Sequence, residues 1–109
     1  MKKYCLALDL KNDEALIKEY EEHHKNVWKE ILEGIKTVGI IDMQIYRIEN
    51  RMFMIIETES DFDFDKQMEI LSQLPRQQEW EKLMWKFQQS LPNSAPNSKW
   101  QLMNKVFQL

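Results

Sequence analysis

The chain has 109 residues and a mass of 13.3 kDa, which suits one compact domain spanning 1–109 and is too little for two useful cores. Fifteen Lys plus Arg against eighteen Asp plus Glu, with both signs interspersed, give a net charge of −3, so no basic stripe is available for a nucleic-acid partner. No stretch reaches the ~18 consecutive apolar residues of a membrane span. The lone Cys5 precludes an internal disulfide, and no signal core or Arg-rich leader opens the chain, so a cytoplasmic location is expected.

Residues 3–10 alternate, with Tyr4, Leu6, Leu8 and Leu10 on one face and Cys5, Ala7 and Asp9 on the other, the period of a half-buried strand. Asn12 or Asp13 then offers a cap oxygen for a helix. Leu16, Tyr20, His24, Val27, Ile31 and Ile35 follow at steps of four or three and trace a single helical face. A helix from 13 to about 37 is long for a domain of this size. A break is predicted near Lys25–Asn26, with Asn26 capping the second segment and Gly39 terminating it.

Ile40–Ile48 and Met52–Thr58 read as two strands joined by Glu49-Asn50-Arg51, an antiparallel hairpin in which Asn50 takes the left-handed turn position. Ser60 with Asp63 resembles a capping box ahead of a helix carrying Phe64, Met68 and Leu71. Pro75 suits the first turn of a further helix, with a stripe of Trp80, Leu83 or Met84, Phe87 and Leu91. The Pro-, Asn- and Ser-rich run 92–98 is a loop, and Met103–Leu109 reads as a closing strand. The resulting βαββαβ order is that of an α+β, ferredoxin-like fold with an antiparallel sheet and its helices on one face. A second copy of the chain is the economical cover for the other face, giving a homodimer of the dimeric α/β-barrel type.

Four Trp, three Tyr, five Phe and seven Met can fill a core, line a pocket or cover an interface. Phosphate loops, nucleophile elbows and Cys-x-x-Cys pairs are all absent from the sequence. His23 and His24 diverge by about 100° on a helix and cannot chelate one ion together, so no metal is expected. His24 lies on the inward stripe, one turn after Tyr20. A buried histidine satisfied by a main-chain carbonyl is one reading; an imidazole poised for acid–base work beside a phenol is the other. Trp80 fits either the core or a flat platform for a sugar ring, and Glu81 either solvent or sugar hydroxyls. Met43, Tyr46 and Trp28 are candidates for the same wall.

The run Glu19-Tyr20-Glu21-Glu22-His23-His24-Lys25-Asn26-Val27-Trp28-Lys29-Glu30 resembles the Tyr-x-x-x-His-x-x-x-Trp-x-Glu signature of the L-rhamnose mutarotase family. The resemblance continues through Tyr46, Met54–Glu59, Trp80–Met84 and Val106–Leu109. It implies a dimeric ferredoxin-like enzyme without metal or organic cofactor, interconverting the α and β anomers of a monosaccharide. It also implies that His24 is the proton donor and that Tyr20 contacts the sugar. Met43 falls where the family has a substrate-contacting tyrosine, and Trp80-Glu81 where it has paired tryptophans. That change in the sugar-contacting residues leaves L-rhamnose, L-fucose or another 6-deoxyhexose as the expected substrate. A monooxygenase-like enzyme and a non-catalytic sugar-binding domain are the competing readings of the same architecture.

Overall fold

A computed structural model describes residues 1–109 as nine elements. They are β1 (Lys2–Leu10), α1 (Glu14–His23), α2 (Lys29–Thr37), β2 (Ile40–Ile48), β3 (Arg51–Thr58), α3 (Phe64–Ser72), α4 (Gln77–Trp85), β4 (Gln88–Gln89) and β5 (Gln101–Leu102). The antiparallel sheet runs β2-β3-β1-β4, with β5 also on β1. Each predicted helical region is thus two short helices, and the last strand is two short pieces. With β4 and β5 taken together, the strand order is that of a ferredoxin-like fold.

Pairing registers sort the two sheet faces. Leu8 lies opposite Met52 and Leu6 opposite Met54, in rows continued by Arg47 and Ile45 of β2. These rows face the helices. Leu8, Leu10 and Met52 pack with Tyr20, Ile31, Trp80, Met84 and Phe87 in one core cluster. Leu6 and Ile56 pack with Val38, Ile40, Phe62 and Leu71 in a second. The opposite face carries the row Tyr46–Phe53–Ala7, flanked by Cys5, Ile55 and Ile48, and no helix covers it.

Several local expectations are corrected. The break between α1 and α2 is real, yet Asn26 does not cap α2. Trp28 holds that position in extended backbone without a side-chain bond, and Asn26 instead closes a turn onto the His23 carbonyl. A cap is worth about 1 kcal/mol. The half-buried Trp28 indole packs against the first core cluster and gains part of the about 1.5–3 kcal/mol of a fully buried large side chain, enough to offset the loss of an Asn26 cap. In the hairpin it is Glu49 that takes the positive φ, 51°. Asn50 is used otherwise, donating its side-chain amide to the Leu10 carbonyl at 3.0 Å. Asp63 alone caps α3 by accepting from the Lys66 N–H, while Ser60 Oγ accepts from the N-terminal amine. Pro75 lies before α4, whose N-cap is Arg76 in the left-handed region at φ 64°, and α4 ends at Trp85, so Leu91 is not on its stripe.

The closing strand is the largest difference. Gln88–Gln89 bonds to Leu10 and Asp9, and Gln101–Leu102 to Ala7 and Leu6, both on the edge of β1 that faces away from β3. Residues 90–100 bulge out between them. The Met103 N–H still reaches the Cys5 carbonyl at 2.8 Å, but the chain then leaves the sheet. Val106, Phe107 and Leu109 are almost fully exposed, so the apolar alternation there marks surface without cover inside one chain.

Gly39 ends α2 at φ +100°, as its position in the sequence predicts. A Cβ added there would meet Phe62 Cδ1 at 3.5 Å and Glu59 Cγ at 3.6 Å, ordinary contact distances. The cost of Gly39→Ala is therefore backbone strain alone. Urea unfolding is expected to show a loss of about 1–2 kcal/mol with an unchanged m-value; unaltered stability would contradict the strained assignment.

Candidate active site

The site begins where α1 ends. A helix leaves its last carbonyls without main-chain partners. At this end the Tyr20 carbonyl accepts from the His24 N–H at 3.3 Å and from the His24 ring Nδ1 at 3.0 Å. A carbonyl only accepts, so Nδ1 carries the ring proton and Nε2 of the neutral ring keeps a free lone pair. The rings of Tyr20 and His24 are 4.5 Å apart, and Trp80 lies edge-on 5.7 Å from His24. Trp28 packs edge-on against Trp80 at 5.1 Å, with the Arg76 guanidinium 4.0 Å from the centre of the Trp28 ring. Arg76 in turn is paired with Glu79 and Glu30. The aromatic wall behind the imidazole is therefore held from outside the core.

Burial governs the electrostatics. The His24 pKa is lowered from its ordinary value, chiefly by desolvation and further by the neighbouring charge of His23, while the Tyr20 carbonyl bond pulls the other way. The end of a helix dipole also favours a cationic histidine. Desolvation outweighs the carbonyl bond, and the resting ring is held toward the neutral form. Tyr20 is buried too, and its pKa is pushed up to about 12; a hydrogen bond from Gln88 opposes this only in part. Gln88 Nε2 donates to the Tyr20 hydroxyl at 3.2 Å, which leaves the phenolic proton available to another acceptor. The site thus pairs a neutral imidazole with a neutral phenol.

Tyr20, His24 and Trp80 come together, with Trp28 beside them. Met43 stands apart: it is on the helix-facing side of β2 but packs against the second cluster, while Ile45 is the β2 residue packed against the first. Glu81 is half-buried on the flank of α4, accepting from Gln77 Nε2 at 3.1 Å and 4.0 Å from Lys99 Nζ. Tyr46 lies on the outer sheet face, away from His24, and is 56% exposed, so it does not line the same wall. His23 turns toward the edge, against Phe87 and 3.8 Å from Glu19. Glu21 pairs with Arg47 of β2, at 3.2 Å.

Gln88 is the site residue that sequence reasoning missed. Its register opposite inward-facing Leu10 points it into the core. That signal is invisible when the last strand is placed at 103–109, because Gln88 then falls in a helix tail.

An α+β domain of ferredoxin-like architecture, with a half-buried imidazole beside a buried phenol at the end of its first helix, defines the class of the molecule. Its fold matches that of an L-rhamnose mutarotase from Formosa agariphila, at a TM-score of 0.73 and 18% identity, covering 100% of this chain and 99% of that one. It also matches a dimeric ferredoxin-like protein from an uncultured marine organism, at a TM-score of 0.58 and 16% identity, covering 98% and 95%. Among curated proteins the chain is 38% identical over 111 residues to an L-fucose mutarotase of Xanthomonas campestris pv. campestris, covering all of this chain and 89% of that protein. A family profile described as L-rhamnose mutarotase matches residues 3–109. The chain belongs to the L-rhamnose mutarotase family, a family of isomerases.

The raised Tyr20 pKa has a measurable consequence for stability. A group whose folded pKa is raised contributes stability below its unfolded value of about 10, and that contribution is lost as pH rises toward about 12. Each tenfold change in proton affinity is worth about 1.4 kcal/mol, so the rise from about 10 to about 12 corresponds to about 2–3 kcal/mol. Denaturant unfolding between pH 10 and 12 is expected to show a decline of that order, absent in Tyr20→Phe; equal declines in both proteins would contradict the assignment.

Proposed function

We propose that His24 Nε2 shuttles a proton between the two oxygens of the anomeric carbon of a 6-deoxyhexose, with Tyr20 orienting the ring. The observation that carries this reading is the bond from Nδ1 to the Tyr20 carbonyl, which leaves Nε2 as the free basic nitrogen of a ring held toward neutrality. Nε2 takes the proton of the C1 hydroxyl. The C1–O5 bond then breaks with its electron pair going to O5, the C1 oxygen becomes the aldehyde, and the imidazolium returns the proton to O5. Rotation about C1–C2 presents the other carbonyl face, and the same steps in reverse close the second anomer. Both oxygens are bonded to C1, so one nitrogen can serve each in turn.

Tyr20, whose phenolic hydrogen is not used by Gln88, is the proposed donor to a sugar oxygen. Trp80 is the proposed apolar wall, and Met43 and Glu81 are proposed contacts farther out, carried by the family resemblance. General acid–base catalysis contributes about 10²–10⁴-fold, enough for a ring opening that already proceeds in water. The family profile supports L-rhamnose as substrate; the curated relative named L-fucose mutarotase, at 38% identity, supports L-fucose as a second reading.

A homodimer is also proposed. The outer sheet face exposes Tyr46 and Ile48, and the tail exposes Val106 and Phe107, apolar surface that a second copy would cover. No helix is long and apolar enough to cross a membrane, and the proposed location is the cytoplasm.

Magnetisation-transfer NMR on L-rhamnose and L-fucose tests the reaction. The protein is expected to accelerate α/β exchange of at least one sugar, and His24→Ala to reduce the acceleration by about 10²–10⁴-fold. The accelerated rate is expected to be flat above about pH 6.5 and to fall on acidification through the lowered His24 value, because the base is the neutral ring. An unchanged rate in His24→Ala sinks the assignment. Binding of both sugars without acceleration of either would instead establish a sugar-binding domain.

A further inference from the structure

Two surface grooves carry opposite charge. One, of about 440 Å³, is bordered by Glu59, Asp61 and Asp63 with Lys66. The other, of about 530 Å³, lies between the C-terminal half of α4, the end of β1 and the loop that splits the last strand. It is lined by Lys11, Lys82 and Lys86, by Trp85 as its apolar element, and by amides including Gln89 and Asn97, with no carboxylate. None of these three lysines lies within ion-pair distance of an Asp or Glu in this acidic chain. Lys99, paired with Glu81 at 4.0 Å, lies outside the lining, with its Nζ 5.7 Å from the centre of the Trp85 ring.

Unpaired lysines around a groove raise the local concentration of anions and are point-charge partners for a phosphate. A phosphate alone needs no aromatic wall and no amides. An indole offers an apolar surface to the C–H face of a sugar ring, and the Gln89 and Asn97 side chains offer both donors and acceptors to hydroxyls. We propose that this groove binds a phosphorylated monosaccharide, with the phosphate at Lys11, Lys82 and Lys86 and the ring against Trp85. Gln88 stands at the border of the groove, with its side chain turned inward to donate to the Tyr20 hydroxyl. The groove does not depend on the reaction assigned to His24.

Titration of ¹⁵N-labelled protein with glucose 6-phosphate tests the proposal, with inorganic phosphate and glucose as separate arms. Saturable binding with a Kd on the order of 1 mM or below is expected, with shifts in the Trp85 indole and Asn97 side-chain amide signals. Inorganic phosphate and glucose are each expected to bind more weakly. Lys82 and Lys86 are exposed, so a Lys82→Gln, Lys86→Gln variant should keep the native amide spectrum while losing at least about tenfold in affinity, some 1.4 kcal/mol. No saturation by about 10 mM overturns the proposal. So does inorganic phosphate binding as tightly as the sugar phosphate, or a variant binding as tightly as the parent.

Discussion

The carbonyl oxygen of Tyr20 sits at the point where α1 stops, and much of the site depends on what it accepts. A helix that continued through His24 would give this carbonyl the same His24 main-chain N–H as partner. At this last turn of α1 the oxygen takes that N–H and, in addition, the ring Nδ1. That fixes the ring orientation, assigns the proton to Nδ1 and reserves Nε2. The same break redirects the chain through an extended Trp28, whose indole closes on Trp80 behind the imidazole. Tautomer, ring position and aromatic wall thus have one structural origin.

Burial then sets the protonation states. Two groups that can each give or accept a proton sit side by side; desolvation holds the imidazole toward the neutral form and pushes the ionisation of the phenol, already neutral at pH 7, still higher. A carboxylate beside His24 would hold the ring cationic instead. The nearest candidate on the same helix, Glu21, is engaged by Arg47 of β2. Gln88, satisfying the Tyr20 oxygen from the far side, leaves the phenolic hydrogen directed elsewhere. A neutral base and a neutral donor suit a reaction that moves one proton between two oxygens of the same carbon, where the uncatalysed barrier is already modest.

The architecture was largely legible in the sequence because two-residue alternation in 3–10, 40–48 and 52–58 and the Tyr20–His24 stripe are strong periodic signals. Strand order follows from them. What escaped was decided by tertiary competition: Trp28 burial overrode the capping preference of Asn26, and Asp63 took a role shared in the sequence with Ser60. The tail 103–109 alternates like a strand, yet β1 is already paired by Gln88–Gln89 and Gln101–Leu102, pieces too short to show periodicity. Losing that assignment hid Gln88. In the site, helical spacing was enough to put Tyr20 and His24 on one inward stripe, whereas the meeting of Trp80 with them across two helices, and the separation of Met43 from that cluster, depend on tertiary packing that periodicity does not encode.

The tautomer and charge of one ring are the point on which the proposed chemistry turns. Long-range ¹H–¹⁵N correlation spectra of the imidazole, followed across pH, test it directly. At neutral pH the His24 ring is predicted to be neutral, with the proton on Nδ1 and none on Nε2, and to titrate below the ordinary histidine value of about 6.5. A proton on Nε2, or an imidazolium persisting at neutral pH, would contradict it.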